Sequence, residues 1–184
     1  MKRLFLLIGL AAAMAAAQTP SRVVQEAFLI DPGPLDFVKG EGQDQFIAQA
    51  LTGDALVGLS AENRPVPRLA ASWKVVPGGL DITLRDDARF MDGSPVTAAD
   101  VIWTLQTIES DPQASPTKRA ALGDLKANGE GLRVSLRGSR PAARLLMELW
   151  RVPIAKAGHA DEGSGPFALQ RSGTDWTFTA RPDH

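Results

Sequence analysis

The sequence predicts an α+β protein with a mixed, mainly antiparallel sheet and two or more helices packed on one side of it. Residues 80–85 and 132–137 alternate apolar and polar side chains, as strands do when one face of their sheet is buried. Turn residues at Pro77-Gly78-Gly79 and at Ser172-Gly173 predict hairpins. Two other segments space their apolar residues as helices do. Strands interrupted by only two helices are typical of the α+β class.

The first 17 residues are expected to be a signal peptide. Lys2 and Arg3 form a basic start, residues 4–17 are apolar and uncharged, and Ala15-Ala16-Ala17 offers a cleavage site. A membrane anchor is the less favoured interpretation, because a spanning helix needs about 20 apolar residues. The chain has no Cys, which excludes a lipoprotein anchor and disulfides. The product is therefore expected to be soluble and periplasmic or secreted.

Residues 18–184 would then form the mature domain. Loss of the two basic residues changes its formal net charge from −1 to −3. No basic stripe is present, which argues against nucleic acid as a partner.

The mature chain is expected to begin with a strand, residues 23–30, that ends at Asp31-Pro32-Gly33-Pro34. Apolar residues in the segment 45–57 have a mostly helical spacing and predict the first helix. Residues 58–67 are predicted to be a loop, because Pro65 and Pro67 disfavour regular structure. The first hairpin follows, with strands at residues 69–76 and 80–85.

The clearest helix start lies between residues 90 and 101. Asp92-Gly93 is a turn pair, and Pro95 keeps the residue before it extended. Thr97 is then the expected N-cap, and Asp100 is placed to accept a hydrogen bond from the Thr97 amide. The helix is predicted from Thr97 to about residue 109, and Asp111-Pro112 ends it.

The remainder of the chain is predicted to contain two further strand regions and a helix. Residues 125–131 are interpreted as turns and residues 132–137 as a strand. A helix begins at Ser139 or Arg140 and places Ala142, Leu145, Leu146 and Leu149 in one apolar stripe. Residues 166–170 and 175–180 form the last hairpin, in which Trp176, Phe178 and Ala180 share a face.

The segment Phe90-Met91-Asp92-Gly93-Ser94-Pro95-Val96-Thr97-Ala98-Ala99-Asp100-Val101 resembles the signature of the family 5 extracellular solute-binding proteins. These are the peptide- and nickel-binding receptors of ABC importers. Five further segments resemble that family in the same order: 69–73, 82–85 with Phe90, 132–136, 152–154 and 163–167. Departures from the family pattern include Asp87 in place of a Gly, Ala155 in place of a Val, and Ser164 and Phe167 in place of Thr and Tyr.

This resemblance implies the N-terminal lobe of a type II periplasmic-binding-protein-like fold. Family members are several hundred residues long, so the chain resembles one small lobe and the start of a second, without the C-terminal lobe. The implied function is non-covalent capture of a peptide or similar solute and its delivery to an ABC permease. The alternative is a truncated lobe that acts as a protein-interaction module, including a homodimer through its exposed face, or that has no autonomous function.

Asp36 and Phe37 are candidate ligand contacts, because in the family the segment after the first strand borders the cleft. Ser164, Gly165 and Pro166 are candidates because backbone amides there could bind a carboxylate. All four Trp residues could stack on a ligand, but core or interface roles are favoured for them.

An enzyme is not expected, and no catalytic residue is assigned. With two His, no Cys and no Tyr, the chain offers few pairs of nucleophile and base. His159 near Asp161 and Glu162 could form half of a metal site, but a solvated loop is the favoured interpretation. No cofactor is expected, since Gly163-x-Gly165 lacks the third glycine of a dinucleotide-binding motif.

Overall fold

The computed structural model describes residues 23–26, 33–172, 175–182 and 184. The predicted signal peptide and residues 27–30 of the predicted first strand lie outside these ranges. Within them, no helix has both the length and the apolar character that crossing a membrane would require.

Helices and strands follow one another in an order that confirms the α+β prediction. The strands are β1 Val23–Glu26, β2 Val57–Leu59, β3 Pro65–Pro67, β4 Ala70–Val76, β5 Gly79–Leu84, β6 Lys126–Glu130, β7 Arg133–Arg137, β8 Phe167–Ser172 and β9 Asp175–Ala180. The helices are α1 Gln43–Thr52, α2 Ala98–Ser110, α3 Pro116–Leu122 and α4 Ala142–Leu146, with a 3₁₀ turn at Leu149–Arg151. All strand pairs within the described ranges are antiparallel.

The largest sheet has the strand order β4-β5-β7-β6 and carries the main core. The alternation in β5 and β7 is confirmed, since Leu80, Ile82, Leu84, Val134 and Leu136 are buried. They share one apolar cluster with the inner side of α2. Burial of each such side chain contributes about 1.5–3 kcal/mol, so this cluster dominates the stability of the fold.

A second sheet, with the order β1-β9-β8, brings the start and the end of the described chain together. Trp176 and Phe178 of β9 are buried against Ala48 of α1, as a cluster separate from the main core. The predicted hairpin of β8 and β9 and its shared Trp176–Phe178 face are therefore confirmed.

The prediction that residues 58–67 are a loop is wrong. β2 and β3 form an antiparallel ribbon in which Val57 is opposite Pro67 and Leu59 is opposite Pro65. A proline is tolerated in such a ribbon because each strand is an edge strand, where a nitrogen can face away from the partner. The predicted helix 45–57 is likewise too long, because α1 ends at Thr52 and Val57 begins β2.

Residues 125–131 are also not a series of turns, because Lys126–Glu130 pairs with β7 as an edge strand. Its polar and small residues have weak strand propensity, so pairing with β7 decides its conformation. Helix α3 was missed, although Ser115 is its N-cap, accepting a hydrogen bond from the Lys118 amide at 3.1 Å, and Pro116 occupies its first turn.

Candidate functional site

The two segments predicted to contact ligand meet at the C-terminal end of α1. The ring of Phe37 is fully buried and fills the space beside two glycines. A Cβ atom at Gly53 would lie 2.3 Å from Phe37 Cε1, and one at Gly163 would lie 2.6 Å from Phe37 Cζ. The Phe37 amide also donates to the carbonyl of Ala160 at 2.6 Å. Phe37 therefore joins α1 to the segment 160–166 from inside.

Asp36 shapes the turn that precedes α1. Its carboxylate Oδ1 accepts hydrogen bonds from the amides of Val38 and Lys39, both at 2.8 Å. Its carbonyl accepts from the Gly40 amide at 3.0 Å and from Gln49 Nε2 at 2.8 Å. These contacts fix residues 36–40 against α1.

The same turn is fastened to α3 by a buried lysine. Lys118 is only 4% exposed, and its Nζ donates to the carbonyl of Gly40 at 3.2 Å. Burial lowers the pKa of Lys118 to about 8, because the charged ammonium loses its hydration. The neighbouring Ser115 amide donates to the carbonyl of Val38 at 3.0 Å, so α3 and the turn are joined by main chain as well.

The other predicted candidates, Ser164, Gly165 and Pro166, occupy three different environments. The Gly165 amide donates to the carbonyl of Thr52 at 2.8 Å, so this amide is engaged within the protein. Ser164 is buried and faces a small polar cavity. Pro166 is half-buried and lines a larger cleft.

This larger cleft, named the aromatic cleft here, has a volume of about 250 Å³. Its largest side chains are Phe46 of α1 and Trp150 of the 3₁₀ turn, whose ring centroids are 6.1 Å apart at an interplanar angle of 84°. The guanidinium carbon of Arg151 lies 4.6 Å from the centroid of the Trp150 ring, a cation–π contact. The remaining lining residues are Gln49, Ala50, Gly53, Asp54, Ala55, Val57, Gly58, Leu59, Arg68, Pro153 and Pro166.

Phe46 is 51% exposed because α1 turns a polar side inward. Gln45 and Gln49 are buried, and Gln45 Nε2 donates to the carbonyl of Pro34 at 2.8 Å. Helical spacing then places Phe46 on the outside. Sequence reasoning counted Phe46 among the apolar positions of the helix and did not select it as a site residue. The signal was the pair of glutamines four residues apart, whose amides can satisfy buried carbonyls.

Charges of both signs lie around the aromatic cleft. Arg68 and Arg151 contribute positive charge, and Arg151 Nε lies 3.2 Å from Glu148 Oε2. Asp54 contributes negative charge, and its Oδ2 lies 2.8 Å from His184 Nε2. An apolar, aromatic floor with opposite charges at its edge suits a small zwitterionic molecule.

A second, more open cleft of about 440 Å³ lies beyond the end of α1, where Thr52 and Gly163 form part of its wall. His159, Asp161 and Glu162 line it, which places the residues of the rejected metal half-site together. Among the described residues, no group of three or more His, Cys, Asp or Glu side chains is arranged to hold a metal ion.

Comparison with known proteins identifies the family. The profile of the Bacterial extracellular solute-binding proteins, family 5 Middle, matches residues 64–184, which is more than half of the chain. The chain belongs to this family of solute-binding proteins.

Individual relatives agree with this assignment. The periplasmic murein peptide-binding protein MppA of Escherichia coli K12 is 31% identical over 87 residues, covering 47% of this chain and 16% of MppA. The structure of the oligopeptide-binding protein AppA of Bacillus subtilis in complex with a nonapeptide superposes with a TM-score of 0.69 at 17% identity, over 83% of this chain and 35% of AppA. The binding protein AgaA of A. tumefaciens R10, in complex with agropinic acid, superposes with a TM-score of 0.65 at 27% identity, over 77% of this chain and 32% of AgaA.

The chain thus spans about a third of the length of these two structures. The predicted family and the fold class are both confirmed by these comparisons.

Proposed function

We propose that this protein is the exported solute-binding component of an ABC importer and that its ligands are small peptides. The observation that carries the proposal is the aromatic cleft, with Phe46 and Trp150 as its apolar surface and charges of both signs at its edge. Membership of family 5 supports the importer assignment. The peptide ligands named for MppA and AppA support the ligand class.

In this proposal the cleft captures its ligand without covalent chemistry. The rings of Phe46 and Trp150 contact the apolar parts of a peptide, where aromatic surface contributes most to affinity. Arg68 or Arg151 pairs with the terminal carboxylate, and Asp54 pairs with the terminal ammonium. Pro166 contacts the ligand directly, whereas Asp36, Phe37, Ser164 and Gly165 hold the walls in place.

The cellular context is part of the same proposal. Residues 1–17 act as a signal peptide, residues 18–184 act in the periplasm or outside the cell, and a membrane permease receives the ligand. Binding in this family involves two lobes that close on the ligand, so this chain provides one wall of the complete site.

Calorimetric titration of the purified chain with a tri- to pentapeptide library tests the proposal. Saturable binding is expected, and it should weaken when the same peptides carry an amidated C-terminus or an acetylated N-terminus, because each modification removes one charge. Binding of free and blocked peptides with equal affinity would contradict the assigned charge contacts. If no library member binds, this chain alone is not a peptide receptor.

The exposed Phe46 favours one second candidate, a protein interface that includes a homodimer. Sedimentation velocity distinguishes the two functions. A concentration-dependent dimer that Phe46→Ala abolishes, without peptide binding, would favour the interface.

A further inference from the structure

A small polar cavity lies behind the segment 163–166, on the other side of Asp54 from the aromatic cleft. Ser164 lines this cavity and is 2% exposed. Its Oγ has no hydrogen-bond partner among the residues that the structure describes. A buried hydroxyl without a partner is costly, so a native protein normally satisfies it with a water, an ion or a ligand. We name this space the Ser164 cavity.

Three guanidinium groups line the Ser164 cavity, those of Arg85, Arg89 and Arg181. Arg85 forms a two-point ion pair with Asp87, at 2.8 and 2.9 Å, at the solvent-exposed end. Arg89 donates only to main-chain carbonyls, those of Asp86 and Ala88, at 2.7 and 2.9 Å. Its positive charge therefore has no carboxylate partner within the described ranges.

The carboxylates of the wall do not balance these charges. Asp54 and Asp87 offset two of the three guanidinium groups, which leaves a formal excess of one positive charge before His184 is counted. Asp54 is already engaged with His184, at 2.8 Å. A guanidinium group has five N–H donors and no acceptor, so the unmet requirement of this cavity is for an acceptor with negative charge.

We propose that the Ser164 cavity binds a small monovalent anion, a halide or a carboxylate, held by the hydroxyl of Ser164 and the guanidinium of Arg89. The cavity has a volume of about 70 Å³. One water needs about 10–15 Å³ measured in this way, so a chloride or a single carboxylate group fits and a peptide does not. The bound anion satisfies the buried hydroxyl and neutralises the excess charge.

The anion also acts on the neighbouring site through shared residues. Ser164 precedes Gly165 and Pro166, and Asp54 lines both the cavity and the aromatic cleft. Occupancy therefore stiffens the wall that contains Pro166. This inference concerns a site separate from the peptide cleft and stands whether or not the chain binds peptides.

The test is thermal unfolding of the purified chain in chloride or in acetate, with ionic strength held constant by the bulkier isethionate. At ten times the dissociation constant, a single site raises the melting temperature by about 3–6 °C in a chain of this size. The chloride and acetate arms distinguish a halide from a carboxylate as the source of the charge. A saturable rise in either arm is the expected result.

Ser164→Ala is the decisive variant and Ser72→Ala, at an exposed position of β4, is its matched control. In isethionate alone, Ser164→Ala should melt at or above the wild-type temperature, because it removes an unpaired hydroxyl. It should lose the response to chloride or acetate, which Ser72→Ala retains. Equal responses in wild type and Ser164→Ala, or no response in wild type, would overturn the proposal.

A bromide-soaked crystal gives an independent measurement. An anomalous peak within hydrogen-bond distance of Ser164 Oγ and an Arg89 nitrogen supports the site. Ordered water alone at that position in the presence of bromide and of acetate overturns it.

Discussion

At the scale of single residues, Phe46 separates ligand binding from stability. Because it is half exposed, Phe46→Ala should leave the melting temperature within about 2 °C of wild type, as most surface substitutions do. Peptide affinity should fall by about tenfold or more, since an aromatic contact at the centre of a site contributes 1.4 kcal/mol or more. Calorimetric titration measures the affinity.

Val75→Ala is the matched control for this prediction. Val75 is 60% exposed on β4 and does not line the aromatic cleft. Its truncation should change neither quantity. If both variants weaken binding equally, the loss does not arise in the cleft.

The pH dependence of stability should carry a contribution from Lys118. Its folded-state pKa of about 8 lies below the ordinary 10.5, so the folded protein binds fewer protons than the unfolded chain between these values. Stability from this group therefore rises as the pH increases from about 8 to 10.5, by roughly 3 kcal/mol at most, and is constant below 8.

Urea unfolding at pH 7, 8, 9 and 10 measures this contribution when wild type is compared with Lys118→Met. The variant should be the more stable protein at pH 7, and the difference should shrink as the pH rises. Lys74→Met, at an exposed position, should show no such trend. A constant difference between wild type and Lys118→Met across the range would contradict the buried-charge explanation.

Gly163 should tolerate no side chain while Phe37 is present. The Cβ of Gly163→Ala would lie 2.3 Å from the Thr52 carbonyl oxygen and 2.6 Å from the Phe37 ring. Overpacking of this kind costs about 1–3 kcal/mol, which urea unfolding detects. Gly138→Ala is the control, because its nearest atom would be 3.2 Å away, and it should cost less. Equal costs would show that glycine flexibility, not space, decides the effect.

The candidate site was only partly predictable at this scale. The segments 36–37 and 163–166 could be selected from the family resemblance, and the structure brings them together at Gly53. Phe46 could not be selected from periodicity, because an apolar residue in a helix normally faces the core. The buried hydrogen bonds of Gln45 and Gln49 reverse that expectation, and they depend on carbonyls brought near by the tertiary fold.

At the scale of secondary structure, the N-terminus of α2 depends on one carboxylate. Asp100 Oδ2 accepts from the Thr97 amide at 2.8 Å, and its Oδ1 accepts from the Ala157 amide at 2.9 Å. The predicted contact between Asp100 and the Thr97 amide is therefore confirmed, and the second bond ties the helix to the loop after Ala155. Asp100→Ala should lower the free energy of unfolding by about 1–3 kcal/mol, because two buried amides lose their acceptor.

Asp44→Ala provides the comparison, measured by the same urea titration. Asp44 lies in the first turn of α1, where no side chain makes a capping hydrogen bond. Only its interaction with the helix dipole is lost, which amounts to about 0.3–1 kcal/mol. A larger cost for Asp44→Ala than for Asp100→Ala would contradict this account of capping.

Elements with local signals were predictable, and elements defined by pairing were not. The β4–β5 hairpin and α2 were recognised because Pro77-Gly78 and Thr97 act within a few residues. β3 and β6 were missed because their conformation depends on β2 and β7, and their prolines and small polar residues argue for loops. α3 is a different case, since Ser115-Pro116 was a local signal that went unused.

At the scale of the whole molecule, the two sheets should differ in stability. The main core contains most of the buried apolar residues, whereas the β1-β9-β8 sheet is held by the small cluster of Trp176, Phe178 and Ala48. Less buried apolar surface means easier local opening. Amide hydrogens of β8 and β9 should therefore exchange faster than those of β5, which mass spectrometry of exchanged peptides measures.

A substitution in each core sharpens this comparison. Phe178→Leu should accelerate exchange in β8 and β9 alone, and Leu136→Val should accelerate it throughout, because the main core supports both sheets. Uniform acceleration by both variants would indicate that the described chain unfolds as one cooperative unit.

The ribbon of β2 and β3 has a consequence for the behaviour of the protein in concentrated solution. Pro65 and Pro67 lack amide hydrogens, so the outer side of β3 presents carbonyls but no donor at two of its three positions. A strand from another molecule needs alternating donors and acceptors to attach to a sheet edge. Two copies that collide at this ribbon therefore cannot extend each other's hydrogen-bonded ladder, and this side of the protein is protected against edge-to-edge aggregation.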